Sequence, residues 1–207
     1  SFTHYKQSVR VVEHLENNGQ GLNLTWEVRD GIANHTGKNM ASTLEGIIVK
    51  FADRIAYINH DIDDACRAEI LSPNDIPKHI RYVLGETHSE RINTMVNSII
   101  KESAGKPQIA MQSHVQSATD SLREFLFEHV YRNPIAKGEE SKAKDMLQRM
   151  FDYYVCHPEA LPEDFQPQLS FDGMERTVCD YIAGMTDNYA VDKYTELFIP
   201  SGWQVRG

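Results

Sequence analysis

Residues 51–65 read FADRIAYINHDIDDA, a run that puts acid, base and phenol on one stripe of an otherwise apolar helix. At about 100° of rotation per residue, Asp53, Tyr57, Asp61 and Asp64 share about one quarter of the helix circumference. Phe51, Ile55, Ile58 and Ile62 occupy the opposite side, and Ala52 and Ala56 leave a third face where a neighbouring helix could approach closely. The pattern predicts a helix buried on most sides. A row of carboxylates on an amphipathic helix is usually its solvated face. Such a face normally mixes Lys, Glu, Gln and Arg, whereas this stripe holds a Tyr among short Asp side chains whose reach demands a close partner. A metal ion, a sugar hydroxyl or a phosphate-bound cation would be such a partner. An EF-hand loop is excluded, because Asp61-x-Asp63 lacks the glycine of the sharp turn and lies inside a helical period.

The remaining chemistry must fit an acidic chain of 207 residues with 41% hydrophobic content and a formal net charge of −9. That length holds one generous domain or two small ones with a real core. The charge argues against a general nucleic-acid grip, which needs clustered Lys and Arg. The longest apolar runs fall far short of a membrane span, and no secretory signal pattern opens the chain, so the expected location is cytoplasmic. Cys66, Cys156 and Cys179 have no C-x-x-C spacing and read as reduced core thiols. The chain begins abruptly on Ser1-Phe2-Thr3-His4 and reads as helix from Gln7, so it is expected to be part of a longer protein.

Outward from the central run, Val9, Val12 and Leu15 recur at helical spacing until Asn17-Asn18-Gly19 stops the pattern. A helix starting at Thr25 carries Trp26, Val28 and Ile32 and ends near His35-Thr36-Gly37. Ser42 or Thr43 caps the long helix containing residues 51–65, and Glu45 follows Ser42 at capping-box spacing. Ser72-Pro73-Asn74-Asp75 and Pro77 break the chain before a short helix ending at Leu84-Gly85. Further helices are predicted over 91–103, 122–131, 141–154 and 175–189, with a short amphipathic piece ending at Leu197-Phe198. Residues 105–113 read as a connector, and Pro158, Pro162 and Pro167 mark a loop. No segment alternates at period two long enough to claim a sheet, so the fold class is all-α.

FADRIAYINHDIDDA resembles the helix that carries the last Asp of the metal site in the deoxynucleoside triphosphate triphosphohydrolases, the dGTPase-like branch of the HD superfamily. Further segments are similar to that family in the same order: Phe2-Thr3-His4 with Gln7-Ser8 and Arg10-Val11-Val12, then GLNLTWEVRDGI, STLEG and VCDYIAGMTDNYA. The resemblance runs essentially from residue 1 to residue 200. It implies an HD-domain-like helical bundle, incomplete at its N-terminus, over residues 1–85, and a phosphohydrolase-associated helical domain over 86–207.

In that family a lone His, a His-Asp pair and a distant Asp hold a divalent cation such as Mg or Mn. By resemblance Asp53 is the distant Asp, Arg54 reaches phosphate oxygens, and Tyr57 and Asp61 hold the deoxyribose, particularly its 3′-hydroxyl. His4 matches a His beside the scissile phosphate, acting as general acid or electrostatic stabiliser. The lone His and the His-Asp pair would lie upstream of Ser1. His60-Asp61 spells the same pair, but consecutive helical residues diverge by about 100° and the resemblance assigns Asp61 to sugar. His4-Tyr5-Lys6-Gln7 departs from the commoner His-Asn-Glu-Gln pattern, which leaves the Glu of that pattern without a counterpart.

The implied reaction uses metal-activated water at the α-phosphorus of a dNTP and expels the whole triphosphate. The implied partners are a dNTP substrate, a nucleotide effector and further copies in a homo-oligomer. Asp53 alone cannot hold the metal, so the chain by itself is expected to be inactive; the alternative is a non-catalytic nucleotide-binding or oligomerisation module. Other residues carry competing readings. His4 also fits ordinary surface, and His35 at a helix end is accounted for by the helix dipole. Tyr131 and Asn133 either line a base pocket or, the favoured reading, pack and end a helix. Asp180, Tyr181 and Asp187 read as structural.

Overall fold

The computed structural model describes residues 3–132 and 134–202, with the side chains of 134–137 left aside. The chain divides into two compact units, Ser1–Ala136 and Lys137–Gly207. Every regular element among the described residues is helical, as the absence of period-two patterning predicts.

In the first unit, α1 (His4–Arg10) runs into a π-helical turn (Val11–Leu15) and a one-turn α2 (Glu16–Gly19). Asn17 and Asn18 adopt left-handed backbone there, with φ of 55° and 54°, which stops the helix where the sequence predicts. Helix α3 (Trp26–Asn34) follows Thr25 and packs on the long α4 (Leu44–Arg67). Two glycines allow that crossing. A Cβ on Gly46 would lie 3.2 Å from the Cα of Gly31 and 2.5 Å from the Ala41 Cβ. The cap of α4 is Thr43, whose hydroxyl accepts from the Gly46 N–H at 3.1 Å. Ser42 lies outside the helix, with its N–H given to Asp30 Oδ2 at 2.6 Å, so the Ser42–Glu45 capping box is replaced by this simpler cap.

Ile55, Ile58, Ile62 and Ala65 of α4 are buried, as their spacing predicts. Each fully buried Ile contributes about 1.5–3 kcal/mol of transfer free energy. They pack with apolar side chains of α5 (Lys78–Leu84), α6 (His88–Ser103) and α7 (Ser113–His129), including Ile80, Leu84, Met95, Leu122 and Leu126. The third face of α4 departs from expectation: Ala52 and Ala56 are exposed, continuing a bare stripe through Leu44 and Ile48. Helix α7 also starts well before the predicted Leu122. Its first two turns present Val115 and Ala118 with polar Thr119, a stripe too weak to read locally. At the buried face of α4, Arg91 Nε donates to Asn59 Oδ1 at 3.0 Å, and Asn59 Nδ2 donates to the Ile55 carbonyl at 2.8 Å. Burial pulls the Arg91 guanidinium below its usual range, a cost offset by these bonds.

Helix α8 (Pro134–Cys156) leads into the second unit, followed by α9 (Gln168–Asp172), α10 (Met174–Ala183) and α11 (Asp187–Phe198). The predicted single helix over 175–189 is two, because Thr186 caps α11 by accepting from the Tyr189 N–H at 3.3 Å. Met150, Tyr154, Leu161, Val178 and Tyr181 form this unit's core. Asp180 and Tyr181 are buried in it, in keeping with structural roles. The three cysteines are free, but Cys156 and Cys179 are exposed and Cys66 half-buried, so the expectation of core thiols is corrected. Cys179 follows buried Val178 by one residue and so turns outward on α10. No helix among the described residues is long and apolar enough to cross a membrane.

Candidate functional site

The acidic stripe of α4 does not act as one surface. Asp53 and Tyr57 open into a cleft of about 790 Å³ in the first unit, whose lining includes His4, His35, Lys38, Lys50, Arg54 and Arg123. Asp61, one turn beyond Tyr57, accepts a hydrogen bond from the Tyr131 hydroxyl. Asp64 pairs with Arg67 of its own helix at an exposed position.

Four segments converge on the cleft. α4 supplies Lys50, Asp53, Arg54 and Tyr57, which recur at intervals of three or four and so share one side. His4 stands at the first position of α1, and its ring lies edge-on to His35 with centroids 5.3 Å apart. His35 closes α3, and its Nδ1 lies 2.6 Å from the Ile32 carbonyl. A carbonyl only accepts, so Nδ1 carries a proton. Arg123 arrives from α7, and Arg54 reaches Asp120 of the same helix at 3.7 Å.

Four cations thus face a single carboxylate within a chain of net charge −9. That local inversion of sign suits an anionic ligand with several charges. The electrostatics carry the same mark. Burial and the neighbouring Arg54 push the Lys50 ammonium below its usual range. Burial pushes the Tyr57 phenol up, against the pull of Arg123 and Arg54. Tyr131 is also raised, by burial first and by its hydrogen bond to Asp61.

Of the residues singled out by sequence, His4, Asp53, Arg54 and Tyr57 meet in the cleft, while Asp61 is engaged by Tyr131. Asn133 lies outside the described residues. His35, Lys38, Lys50 and Arg123 were missed. For Lys50 a local signal existed, since it sits three residues before Asp53 on the polar side of a helix. His35 was accounted for by the helix end alone, and Arg123 carries no local signal. Among the described residues no group of three or more His, Cys, Asp or Glu side chains could hold a metal ion. Asp53 brings one carboxylate, and the donors present therefore do not by themselves fit a metal site.

Residues 109–196 match the phosphohydrolase-associated domain. The chain is 52% identical over 202 residues to a deoxyguanosinetriphosphate triphosphohydrolase-like protein of Caldanaerobacter subterraneus subsp. tengcongensis, covering 98% of this chain and 60% of that protein. Over nearly all of its length the chain is similar to this dGTPase-like family. A relative of the same name in Clostridium perfringens is 43% identical, over 96% of this chain and 61% of its own length. Another in Geobacter sulfurreducens is 31% identical, over 96% and 65%. The chain thus spans about 60% of the length of the relatives from Caldanaerobacter and Clostridium.

Proposed function

We propose that this chain is part of a metal-dependent dNTP triphosphohydrolase that cleaves a dNTP to deoxynucleoside and triphosphate. The observation that carries the reading is the meeting of Lys38, Lys50, Arg54 and Arg123 around Asp53, His4 and Tyr57 in one cleft. It is supported by relatives named deoxyguanosinetriphosphate triphosphohydrolase-like protein. Of these cations, Lys38, Arg54 and Arg123 would neutralise the phosphates and steady the leaving triphosphate. His4 would protonate or stabilise the leaving group, Arg54 would contact phosphate oxygens, and Tyr57 and Asp61 would hold the deoxyribose. Asp53 would be one ligand of a divalent cation whose other ligands lie outside this chain.

The domain reading follows: residues 1–85 complete the catalytic core, and 86–207 form the associated helical domain. By family resemblance we further propose a homo-oligomer and a nucleotide effector. The proposed compartment is the cytosol, where three unpaired thiols would stay reduced.

One observation favours a second reading. Because the described residues hold no set of metal donors, the cleft's cations could serve nucleotide binding or assembly alone. Purified protein extended to the length of its relatives separates the two. Metal-dependent triphosphate release supports the enzyme, while tight dNTP binding without turnover supports the binding module. Triphosphate release by residues 1–207 alone would overturn the expectation that this segment is inactive.

A further inference from the structure

Lys50 is only 8% exposed, and its ammonium is committed to backbone: Nζ donates to the Gly37 carbonyl at 2.8 Å and to the Asn39 carbonyl. Both acceptors belong to the segment joining α3 to α4. That segment also supplies His35, Thr36, Gly37 and Lys38 to the wall of the cleft, facing Asp53 and Arg54. Its own means of staying in place are few. Residues 37–40 are exposed, Gly37 stands in left-handed backbone at φ 75°, and a Cβ there would touch nothing within 4 Å. A connector with so little packing opens at low free energy unless something ties it down. A buried ammonium is costly unless its donors are satisfied, and here this connector satisfies two of the three.

We infer that Lys50 is a positioning residue: it clamps the 35–39 segment over the cleft and so holds Lys38 and His35 toward the phosphates of a bound nucleotide. The inference rests on reading the cleft as a phosphate site. It differs from a merely structural role in one respect: release of the clamp weakens ligand binding as well as loosening the loop.

The test uses the protein at the length of its relatives, with Lys50→Met and, as a second variant, Lys50→Gln, whose shorter amide cannot reach both carbonyls. The probe is inorganic triphosphate. In either variant, amide hydrogen exchange over residues 36–40 rises about tenfold while that of α6 and α7 stays unchanged. Triphosphate binds about tenfold more weakly, and KM for a dNTP rises by a similar factor with kcat little altered. Unchanged exchange over 36–40 overturns the clamp. Faster exchange with unchanged triphosphate affinity overturns its role in binding. If the unsubstituted protein neither binds triphosphate nor hydrolyses a dNTP, the phosphate-site reading fails and the binding half of the inference with it. The exchange measurement then still judges the clamp by itself.

Discussion

The Tyr131 hydroxyl donates to Asp61 Oδ2, joining the turn after α7 to the middle of α4 across seventy residues of sequence. The bond gives Asp61, the second Asp of the stripe, a protein partner on one of its two carboxylate oxygens. A carboxylate accepts at both oxygens, so Asp61 can receive the Tyr131 hydroxyl and a deoxyribose hydroxyl together. Replacing Tyr131 by Phe should cost about 1 kcal/mol of stability, since the acceptor is charged but only partly buried. Urea unfolding of the chain measures this. A loss below the error of the measurement would show the bond to be dispensable.

Asp53 is exposed and makes no packing contribution to the core. Its change to Ala should leave the unfolding midpoint within about 0.5 kcal/mol of the parent. If Asp53 is a ligand to an activating cation, as proposed, metal-dependent triphosphate release by the extended protein should fall about a hundredfold or more. Retained activity in that variant would remove Asp53 from the site.

The crossing of α3 and α4 predicts an asymmetry between its two glycines. A Cβ on Gly46 would sit 2.5 Å from Ala41, whereas one on Gly31 finds its nearest neighbour at 3.5 Å. Gly46→Ala should therefore destabilise by about 1–3 kcal/mol through overpacking. Gly31→Ala should be near neutral or slightly stabilising through helix propensity. Thermal melts of the two variants decide the matter, and equal shifts would contradict the geometry.

Stability should also respond to acid through the cap of α6. Glu90 Oε2 accepts from the N–H groups of Glu86 and Thr87 at 2.9 and 3.0 Å, and Thr87 Oγ1 accepts from the Glu90 N–H at 3.2 Å. These bonds hold the Glu90 carboxyl below its usual range. A group depressed in the folded state contributes stability above its unfolded value and loses it as pH falls through the folded one. The stability gap between the parent and Glu90→Ala should be full above about pH 4.3 and narrow below it. Urea midpoints taken from pH 7 down to 3 test this, and a gap independent of pH would exclude the ionised cap.

Core substitutions should distinguish buried from bare positions on α4. Ile58 is completely buried, and its truncation to Ala should cost about 2–5 kcal/mol. Ala52 on the exposed face should tolerate Ser or Gln within about 0.5 kcal/mol in the same chain. A large loss at Ala52 would mean that this face is covered in solution.

The all-α class and the course of α4 were legible because apolar periodicity is a local property. Ile55, Ile58 and Ile62 fall on one side of any helix drawn through them, whatever the rest of the chain does. The break at Asn17-Asn18-Gly19 was legible for the same reason. The first turns of α7 were not, since Ala118 and Thr119 bury well while contributing little hydrophobic signal. The division of the long predicted helix at Thr186 was likewise hidden behind a continuous apolar pattern.

For the candidate site, sequence by itself determined the stripe of Asp53, Tyr57 and Asp61, with Arg54 beside it, because helical pitch alone places residues three, four and eight apart on one side. Tertiary structure alone decided what that stripe faces. His35 and Lys38 share the cleft with Asp53 because α3 crosses α4 closely at Gly31 and Gly46, and because Lys50 holds the connector between them. Arg123 reaches the cleft because α7 packs into the same helical unit. Asp61 leaves the cleft's lining for Tyr131 by the same docking. Periodicity acts within a helix, whereas convergence of charged side chains from separate helices depends on crossings that no local pattern encodes.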